Sequence, residues 1–218
     1  FRIQNSWGST FGDNGRFWMR YEDLKTFALE AYGIYPQSEA RKDKAQTAQV
    51  QVNIGLKAVP QGLYLPFYKL AEDRFKLNRE LPKGMKFKLE LSNSRPLYLG
   101  ILGRDGMGLP YAIYPQDSLQ ASFVGVAGTR EFPERGVFYA DDVEGREWVY
   151  ILLSGSPIDL ADYKQRLLTN SMGQIKRELS KAQRLAPIRE SDGGELLSID
   201  ARLSQEQVMI IELILTKR

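Results

Sequence analysis

The chain has 218 residues, with 30 basic and 27 acidic side chains and a formal net charge of +3 at pH 7. The two signs are mixed along the chain without a separate basic run, a pattern that argues against a nucleic-acid-binding surface. The sequence contains neither cysteine nor histidine, so disulfides, thiolate or imidazole catalysis and ordinary zinc sites are excluded within it. We expect no cofactor and no metal, and no apolar run reaches membrane-spanning length.

The first 36 residues read as two short strands followed by a helix. Residues 1–4 alternate like a strand, several glycines then mark a loop, and residues 16–19 are predicted to form a second strand. Residues 21–32 have apolar side chains at helical spacing, and Gly33 ends the pattern. Two strands and one helix cannot bury so many large apolar residues. We therefore expect this segment to belong to a larger body whose other residues precede Phe1.

A dense motif occupies the loop between these two predicted strands. Asn5-Ser6-Trp7-Gly8 is followed by Phe11-Gly12-Asp13-Asn14-Gly15 and then by an aromatic strand. This motif resembles the last catalytic motif of the papain-like (C1 family) cysteine peptidases, in particular the bacterial members. The family pattern is N-S-W-G, two residues, W-G, D or E, N or G, and G, so Phe11 stands where the family has a second tryptophan.

The resemblance implies a catalytic role for Asn5 and Trp7. In the family this asparagine accepts a hydrogen bond from the catalytic imidazole and orients it, and the tryptophan shields that bond from water. The nucleophilic Cys, the His and the oxyanion Gln of the family would all precede Phe1, so we expect this chain alone to have no peptidase activity. The alternative is that Asn5 caps a turn and that Trp7 is a core residue.

The remaining sequence predicts a linker at residues 37–49 and a β-rich domain at residues 50–218. The linker is polar and charged, without a large apolar residue. Strands are predicted where apolar residues alternate with polar ones or form short continuous runs. The predicted strands cover residues 50–56, 85–91, 97–102, 123–127, 137–140, 148–153 and 208–215.

One long helix is predicted near residues 157–185, and a loop at residues 189–195 leads to the last strand. Ser156 and Pro157 form a helix start, and Pro187 marks the exit. The helix has one apolar face, which would pack across a sheet or pair with a helix of another chain in a homo-oligomer. This face comprises Leu168, Met172, Ile175, Leu179 and Ala182.

Residues 60–165 also carry a looser resemblance. Pro96-Leu97-Tyr98-Leu99, Ile113-Tyr114-Pro115, Phe132-Pro133 and the strand before Ser156 look like a bacterial domain of unknown function that is appended to peptidases and other enzymes. That family implies an immunoglobulin-like sandwich. The expected fold is therefore mainly β with one long helix: an antiparallel, immunoglobulin-like β-sandwich preceded by a short C-terminal remnant of a papain-like α+β domain.

Several side chains of the β-rich half are candidates for binding chemistry. Asp141, Asp142, Glu144 and Glu147 could be paired carboxylates or calcium ligands, but their spacing does not fit a calcium loop and a solvated hairpin tip is the preferred interpretation. Residues 103–108 are predicted as a hairpin turn. A set of aromatic residues could form a platform for sugar or peptide, although aromatics in strands more often lie in the core. These aromatics are Tyr64, Phe67, Tyr68, Tyr98, Tyr111 and Tyr114.

Three functional interpretations remain open. The first is the end of a cysteine peptidase that acts on protein or peptide substrates and is completed by a missing N-terminal half. The second is a β-sandwich module that binds a protein or polymer, and the third is an assembly role through an interface at Met172 and Ile175. The sequence does not fix the location of the protein, although the bacterial resemblance favours an extracytoplasmic one.

Overall fold

The computed structural model describes residues 2–4, 13, 16–27, 47–116, 122–125, 128–141 and 143–218. The chain divides into two units, residues 1–42 and 43–218.

In the first unit, strands β1 (Arg2–Gln4) and β2 (Arg16–Trp18) pair antiparallel, and helix α1 (Tyr21–Phe27) follows. Ile3 lies opposite Phe17 in this pair. Two backbone hydrogen bonds join Asp13 and Arg16 in both directions, at 2.8 and 3.1 Å, and close a tight turn before β2. The predicted extension of the helix to residue 32 lies outside the described residues.

The second unit is mainly β. Its strands in chain order are β3 (Ala48–Val59), β4 (Phe67–Ala71), β5 (Arg74–Leu81), β6 (Lys86–Asn93), β7 (Leu97–Arg104), β8 (Pro110–Tyr114), β9 (Phe123–Val124), β10 (Arg130–Phe132), β11 (Phe138–Tyr139), β12 (Gly145–Ser154), β13 (Ile188–Asp192), β14 (Leu196–Leu203) and β15 (Val208–Lys217). The first sheet has the order β10-β6-β3-β14-β13, with β11 also paired to β6, and the second has the order β4-β5-β15-β12-β7-β8, with β9 paired to β7. The prediction of a mainly β, two-sheet domain is confirmed.

One strand pair departs from the predicted antiparallel arrangement. β15 pairs antiparallel with β12 on one side but parallel with β5 on the other. A parallel pair requires a long connection, and most of the domain lies between β5 and β15 in the chain. The second sheet is therefore mixed, which the local strand pattern could not reveal.

Strand alternation creates two cores on opposite faces of the second sheet. Ile151 and Leu153 of β12 contribute to a core with apolar residues of the first sheet, whereas Tyr150 and Leu152 contribute to a second core with the helices. Because β12 is covered on both faces, its sequence is almost continuously apolar, as is typical of a central strand. The domain thus has three layers: sheet, sheet and helices.

The region predicted as one long helix contains two helices, α2 (Leu160–Thr169) and α3 (Met172–Lys181). Asn170 has an extended conformation at the end of α2, and Ser171 begins α3 with a complete capping box to Gln174. Helix α3 buries Met172 and Ile175, which are 2% and 0% exposed, against the second sheet. These two residues therefore cannot form the inter-chain interface that the sequence left open.

The predicted loop at residues 189–195 is wrong in its first part, because Ile188–Asp192 forms the edge strand β13. This strand is mostly polar, and Ser191 is its one buried residue. An edge strand with few buried residues has little of the alternation that sequence analysis depends on. Within the described part of the chain, none of the helices has the length and apolar content that crossing a bilayer requires.

Candidate functional site

A cavity of about 310 Å³ lies at one end of the space between the two sheets. Its walls continue the inter-sheet core, with Leu56 and Leu89 from the first sheet and Val149, Leu213 and Leu215 from the second. The strand period of two places each of these side chains on the inner face of its sheet. The cavity is therefore walled by apolar side chains from both sheets.

The solvent end of the cavity is acidic. Three of the lining side chains are carboxylates: Asp105, Asp141 and Glu147. Asp141 is 43% exposed, whereas Leu213 is fully buried, so the carboxylates mark the side of the cavity that faces water. We refer to Asp105, Asp141 and Glu147 as the carboxylate rim.

Lys217 is bound to two members of this rim. On β15 it follows Leu213 and Leu215 on the same face, and its side chain is only 3% exposed. Its Nζ donates hydrogen bonds to Asp141 and, at 2.6 Å, to Oε1 of Glu147. Burial by itself would lower the pKa of Lys217, but the hydrogen bonds to both carboxylates outweigh burial and raise the pKa above its usual value.

The same contacts act on Asp141. The hydrogen bond from Lys217, supported by one from the backbone N–H of Val143, holds the pKa of Asp141 below its usual value. Both groups therefore carry their charges near neutral pH, as expected for a buried ammonium that is satisfied by paired carboxylates.

Asp105 has a different environment. It begins the turn between β7 and β8, and its Oδ1 accepts a hydrogen bond of 2.7 Å from the backbone N–H of Leu109. Among the described residues no cationic side chain pairs with Asp105, and Glu147 gives only Oε1 to Lys217. Of the three carboxylates that line the cavity, Lys217 therefore pairs with two. The turn itself confirms the hairpin that was predicted at residues 103–108.

Tyr111 covers the wall of the cavity next to Asp105. It lies opposite Gly103 in the β7–β8 pair, and a Cβ on Gly103 would come within 2.1 Å of the Tyr111 ring. Only glycine allows the ring to lie so close to the strand. Burial, followed by the nearby Glu147, Asp105 and Asp141, raises the pKa of Tyr111 to about 12. Tyr111 is therefore neutral and retains its proton throughout the physiological range.

Exposed apolar residues surround this end of the domain. Met107 and Leu109 in the β7–β8 turn are 77% and 53% exposed, and Tyr139 and Val143 on the other side are 70% and 52% exposed. Such a concentration of exposed apolar side chains near a cavity is typical of a binding surface. In the described part of the chain, no three acidic residues form a group that could hold a metal ion.

A second buried charge cluster lies on the opposite face of the second sheet. Nζ of Lys176 on α3 donates hydrogen bonds of 2.6 Å to both Asp73 and Glu212, and Arg74 contacts Glu212 at 3.3 Å. Lys176 and Glu212 are 8% and 3% exposed. Because this cluster joins α3 to β5 and β15, we assign it a structural role.

A third polar cluster covers the outer face of the first sheet. Lys57 contacts Glu90 at 2.7 Å and Glu131 at 3.2 Å, and the Tyr64 hydroxyl donates a hydrogen bond to Glu90. Lys88 also contacts Glu131, at 3.1 Å. These cross-strand ion pairs and the hydrogen bond pair the polar groups on the face of the first sheet that is opposite the core.

The site residues predicted from the sequence have different outcomes. Asn5, Trp7 and Asp142 lie outside the described residues, so their roles remain predictions. Asp141 and Glu147 do come together, but through Lys217 rather than at a solvated hairpin tip, because Glu147 is only 16% exposed. Glu144 is exposed, as the hairpin-tip interpretation predicted.

The six candidate aromatic residues do not share one surface. Phe67 and Tyr114 are each 3% exposed and belong to the inter-sheet core. Tyr64 binds Glu90 on the outer face of the first sheet, and Tyr98 packs edge-to-face on Phe123 with ring centroids 5.3 Å apart. Only Tyr111 lines the cavity, so a shared aromatic platform is not formed.

The described residues of the second unit define a three-layer β-sandwich domain with an acidic-rimmed cavity between its sheets. Comparison with known proteins finds no family model, no curated protein and no solved structure that matches the chain.

Proposed function

We propose that this chain is the C-terminal portion of a papain-like cysteine peptidase joined to an immunoglobulin-like β-sandwich that binds a protein or polymer. The observation that carries the peptidase half is the motif Asn5-Ser6-Trp7-Gly8 with Gly12-Asp13-Asn14-Gly15. Support comes from its setting: the motif lies between two strands that pair antiparallel, and a helix follows them. An aromatic strand directly after the motif is part of the pattern that the resemblance implies, and β2 with Phe17 and Trp18 is such a strand.

In this proposal Asn5 orients a catalytic histidine and Trp7 shields their hydrogen bond. The chain has no histidine or cysteine, so the nucleophile and the base come from residues outside this sequence. Trp18 on β2 is 78% exposed. A large apolar side chain so exposed next to the motif fits a surface that the remaining part of a peptidase would cover.

The test uses the entire gene product that contains this chain, assayed on a fluorogenic peptide. We expect cysteine-dependent hydrolysis, and we expect Asn5→Ala to lower kcat/KM by about 10- to 100-fold because the imidazole loses its orienting partner. Asn78→Ala, at an exposed position of β5, is the matched control and should remain within about twofold of the wild type. A gene product without a cysteine nucleophile, or equal rates for Asn5→Ala and the wild type, would refute the peptidase half.

The second candidate is a binding module with no peptidase role, and the cavity with its carboxylate rim favours it. Ligand sites are usually apolar concave spaces with a few placed polar groups, and this cavity has that composition. The same assay separates the two candidates. If the assay refutes the peptidase role, the proposed binding role remains, because all of the cavity residues lie between Leu56 and Leu215.

A further inference from the structure

A second and wider cavity, of about 700 Å³, opens to solvent beside the turn that follows β3. That turn, at residues 58–63, lines the cavity and is closed by two backbone hydrogen bonds of 2.8 Å. The turn at residues 82–85 also lines it, and there the N–H of Met85 donates to the carbonyl of Pro82 at 3.0 Å. Because backbone hydrogen bonds hold both turns, the cavity is formed before a ligand arrives, as is usual for binding sites.

The charged side chains that line this cavity are all positive. They are Arg79, Lys83 and Lys86, and none of the described lining residues is acidic. Arg79 and Lys86 are exposed, and neither side chain forms an ion pair or a hydrogen bond with another described residue. Their N–H donors therefore remain available to an anion. We refer to the cavity lined by these three cations as the basic cleft.

Arg79 reaches the basic cleft because β5 is irregular at this point. While β15 advances by two residues, from Ile214 to Thr216, its partner β5 advances by four, from Lys76 to Glu80, and Arg79 lies within this bulge. The residues two positions before and after Arg79 are core leucines, so a regular strand would bury position 79 as well. Bulges redirect side chains and are frequent next to functional sites. The irregularity therefore brings a cation to the cleft at a position that strand alternation assigns to the core.

The basic cleft also has apolar surface that a ligand can reach. Leu63 is 66% exposed, and Met85 and the ring of Tyr64 are only partly buried. All three side chains line the cleft together with the cations. A ligand that matches both features has an apolar body and a negative head, since a cation would meet uncompensated repulsion from Arg79 and Lys86.

We propose that the basic cleft binds a small compound with an apolar body and a carboxylate head, with the carboxylate on Arg79 and the body against Leu63 and Met85. A guanidinium group can bind a carboxylate through two parallel N–H···O hydrogen bonds, and Lys86 adds a second positive charge on the same lining. The volume of about 700 Å³ lies within the roughly 300–1,000 Å³ of sites for small organic molecules. The inference depends neither on the cavity with the carboxylate rim nor on the peptidase half.

The test is a titration of the full chain with three probes of similar size and different charge. The probes are 2-naphthoate, the neutral 2-naphthalenemethanol and the cation 2-naphthylmethylammonium, followed by calorimetry and by NMR shifts of the Leu63 and Met85 methyl groups. We expect the carboxylate to bind at least about tenfold more tightly than the alcohol, and the cation to bind least, because only the carboxylate gains charge-assisted hydrogen bonds. Equal affinity for all three probes, no binding of 2-naphthoate at millimolar concentration, or binding that leaves both methyl groups unshifted would overturn the proposal.

Two arginine variants decide whether the charge of the cleft is responsible. Arg79→Gln should weaken binding of 2-naphthoate about tenfold and leave binding of the alcohol unchanged, because it removes the charged partner of the carboxylate alone. Arg177→Gln removes one positive charge from an exposed position of α3 that does not line the cleft, and it should bind 2-naphthoate like the wild type. If both variants weaken binding equally, general attraction to the surface explains the affinity and the site is refuted.

A third variant tests the apolar part of the cleft. Leu63→Ala removes apolar contact without changing the charge, so it should weaken 2-naphthoate and the alcohol by the same factor, about fivefold. Because Leu63 and Arg79 are both exposed, neither substitution should move the urea midpoint of the chain. Wild-type affinity of Leu63→Ala for both probes would refute the placement of the body. The peptidase assay uses Asn5 and not these residues, so the two proposals fail separately.

Discussion

At the scale of single residues, Lys217 is the cation that pairs with two carboxylates at the open end of the sandwich. Its ammonium group is nearly buried, and both of its carboxylate partners come from a distant part of the chain. A buried ion pair contributes little net stability compared with apolar replacements, but removal of one partner leaves uncompensated charges. The effect of removing the lysine on the free energy of unfolding can be measured with a single substitution.

We expect Lys217→Met to lower the free energy of unfolding by about 2 kcal/mol. This is less than the roughly 3–5 kcal/mol of a fully buried pair, because Asp141 is 43% exposed and water still solvates it in the variant. Urea unfolding followed by circular dichroism gives the measurement. Lys181→Met, at an exposed position of α3, is the matched control and should change the stability by less than about 0.5 kcal/mol. Equal effects of the two variants would contradict a special role for Lys217.

The lowered pKa of Asp141 predicts a pH dependence of stability. A carboxylate whose folded-state pKa lies below its unfolded value stabilises the protein above the unfolded pKa, about 4 for aspartate, and this stabilisation is lost as the pH falls through the folded pKa. The stability difference between the wild type and Asp141→Asn should therefore be largest at pH 7 and shrink steadily below pH 4. Urea midpoints between pH 7 and pH 2 test this, and the same difference in the Lys217→Met background should show little pH dependence.

Only part of the cluster of Lys217, Asp141 and Glu147 could have been predicted from the sequence. The alternation of Leu213 and Leu215 extends to Lys217, so the face of β15 that carries the lysine could have been predicted. Its partners could not, because Asp141 and Glu147 lie 76 and 70 residues away in the chain. The strand pairing that brings them together is a property of the fold and leaves no local pattern.

At the scale of elements, the strands with the strongest apolar patterns were predicted and several others were not. The predicted strand at residues 85–91 corresponds to β6, and that at residues 208–215 to β15. β4, β5, β8, β10, β13 and β14 were not predicted, and all six lie at or next to a sheet edge. The helix break at Ser171 was also missed, because the apolar residues on both sides keep a helical spacing and serine is tolerated inside helices.

The break between α2 and α3 depends on the cap at Ser171. Its hydroxyl oxygen accepts a hydrogen bond from the N–H of Gln174, and the Gln174 side chain accepts one from the Ser171 N–H in return. We expect Ser171→Ala to lower the free energy of unfolding by about 1 kcal/mol. Ser180→Ala in the exposed last turn of α3 should be neutral or slightly stabilising, because alanine has the higher helix propensity. A urea-unfolding experiment in which both variants behave alike would show that the cap does not stabilise α3.

At the scale of the whole second unit, one sheet takes part in two cores. Val149 and Ile151 of β12 belong to the core between the sheets, whereas Tyr150 and Leu152 belong to the core under the helices. Lys176 on α3 adds a buried ionic contact to Glu212 on β15. Because β7, β12 and β15 each contribute to both cores, neither core can lose its packing without disturbing strands that the other needs.

Shared strands predict that the second unit unfolds as a single cooperative structure. Ile151→Ala removes side-chain volume between the sheets, and Ile175→Ala does so under the helices; both isoleucines are 0% exposed, so each change should cost about 3 kcal/mol. Trp148 packs against the helix-side core, so its fluorescence reports on that layer once Trp7 and Trp18 are replaced by Phe. Far-UV circular dichroism reports mainly on the sheets. In both variants the urea midpoints from the two probes should coincide and move together.

The control variant is Leu168→Ala, at a side chain that is 51% exposed, and it should shift both midpoints only slightly. If Ile175→Ala moves the fluorescence midpoint alone, the helices unfold separately from the sandwich, and the two cores are not coupled through the second sheet.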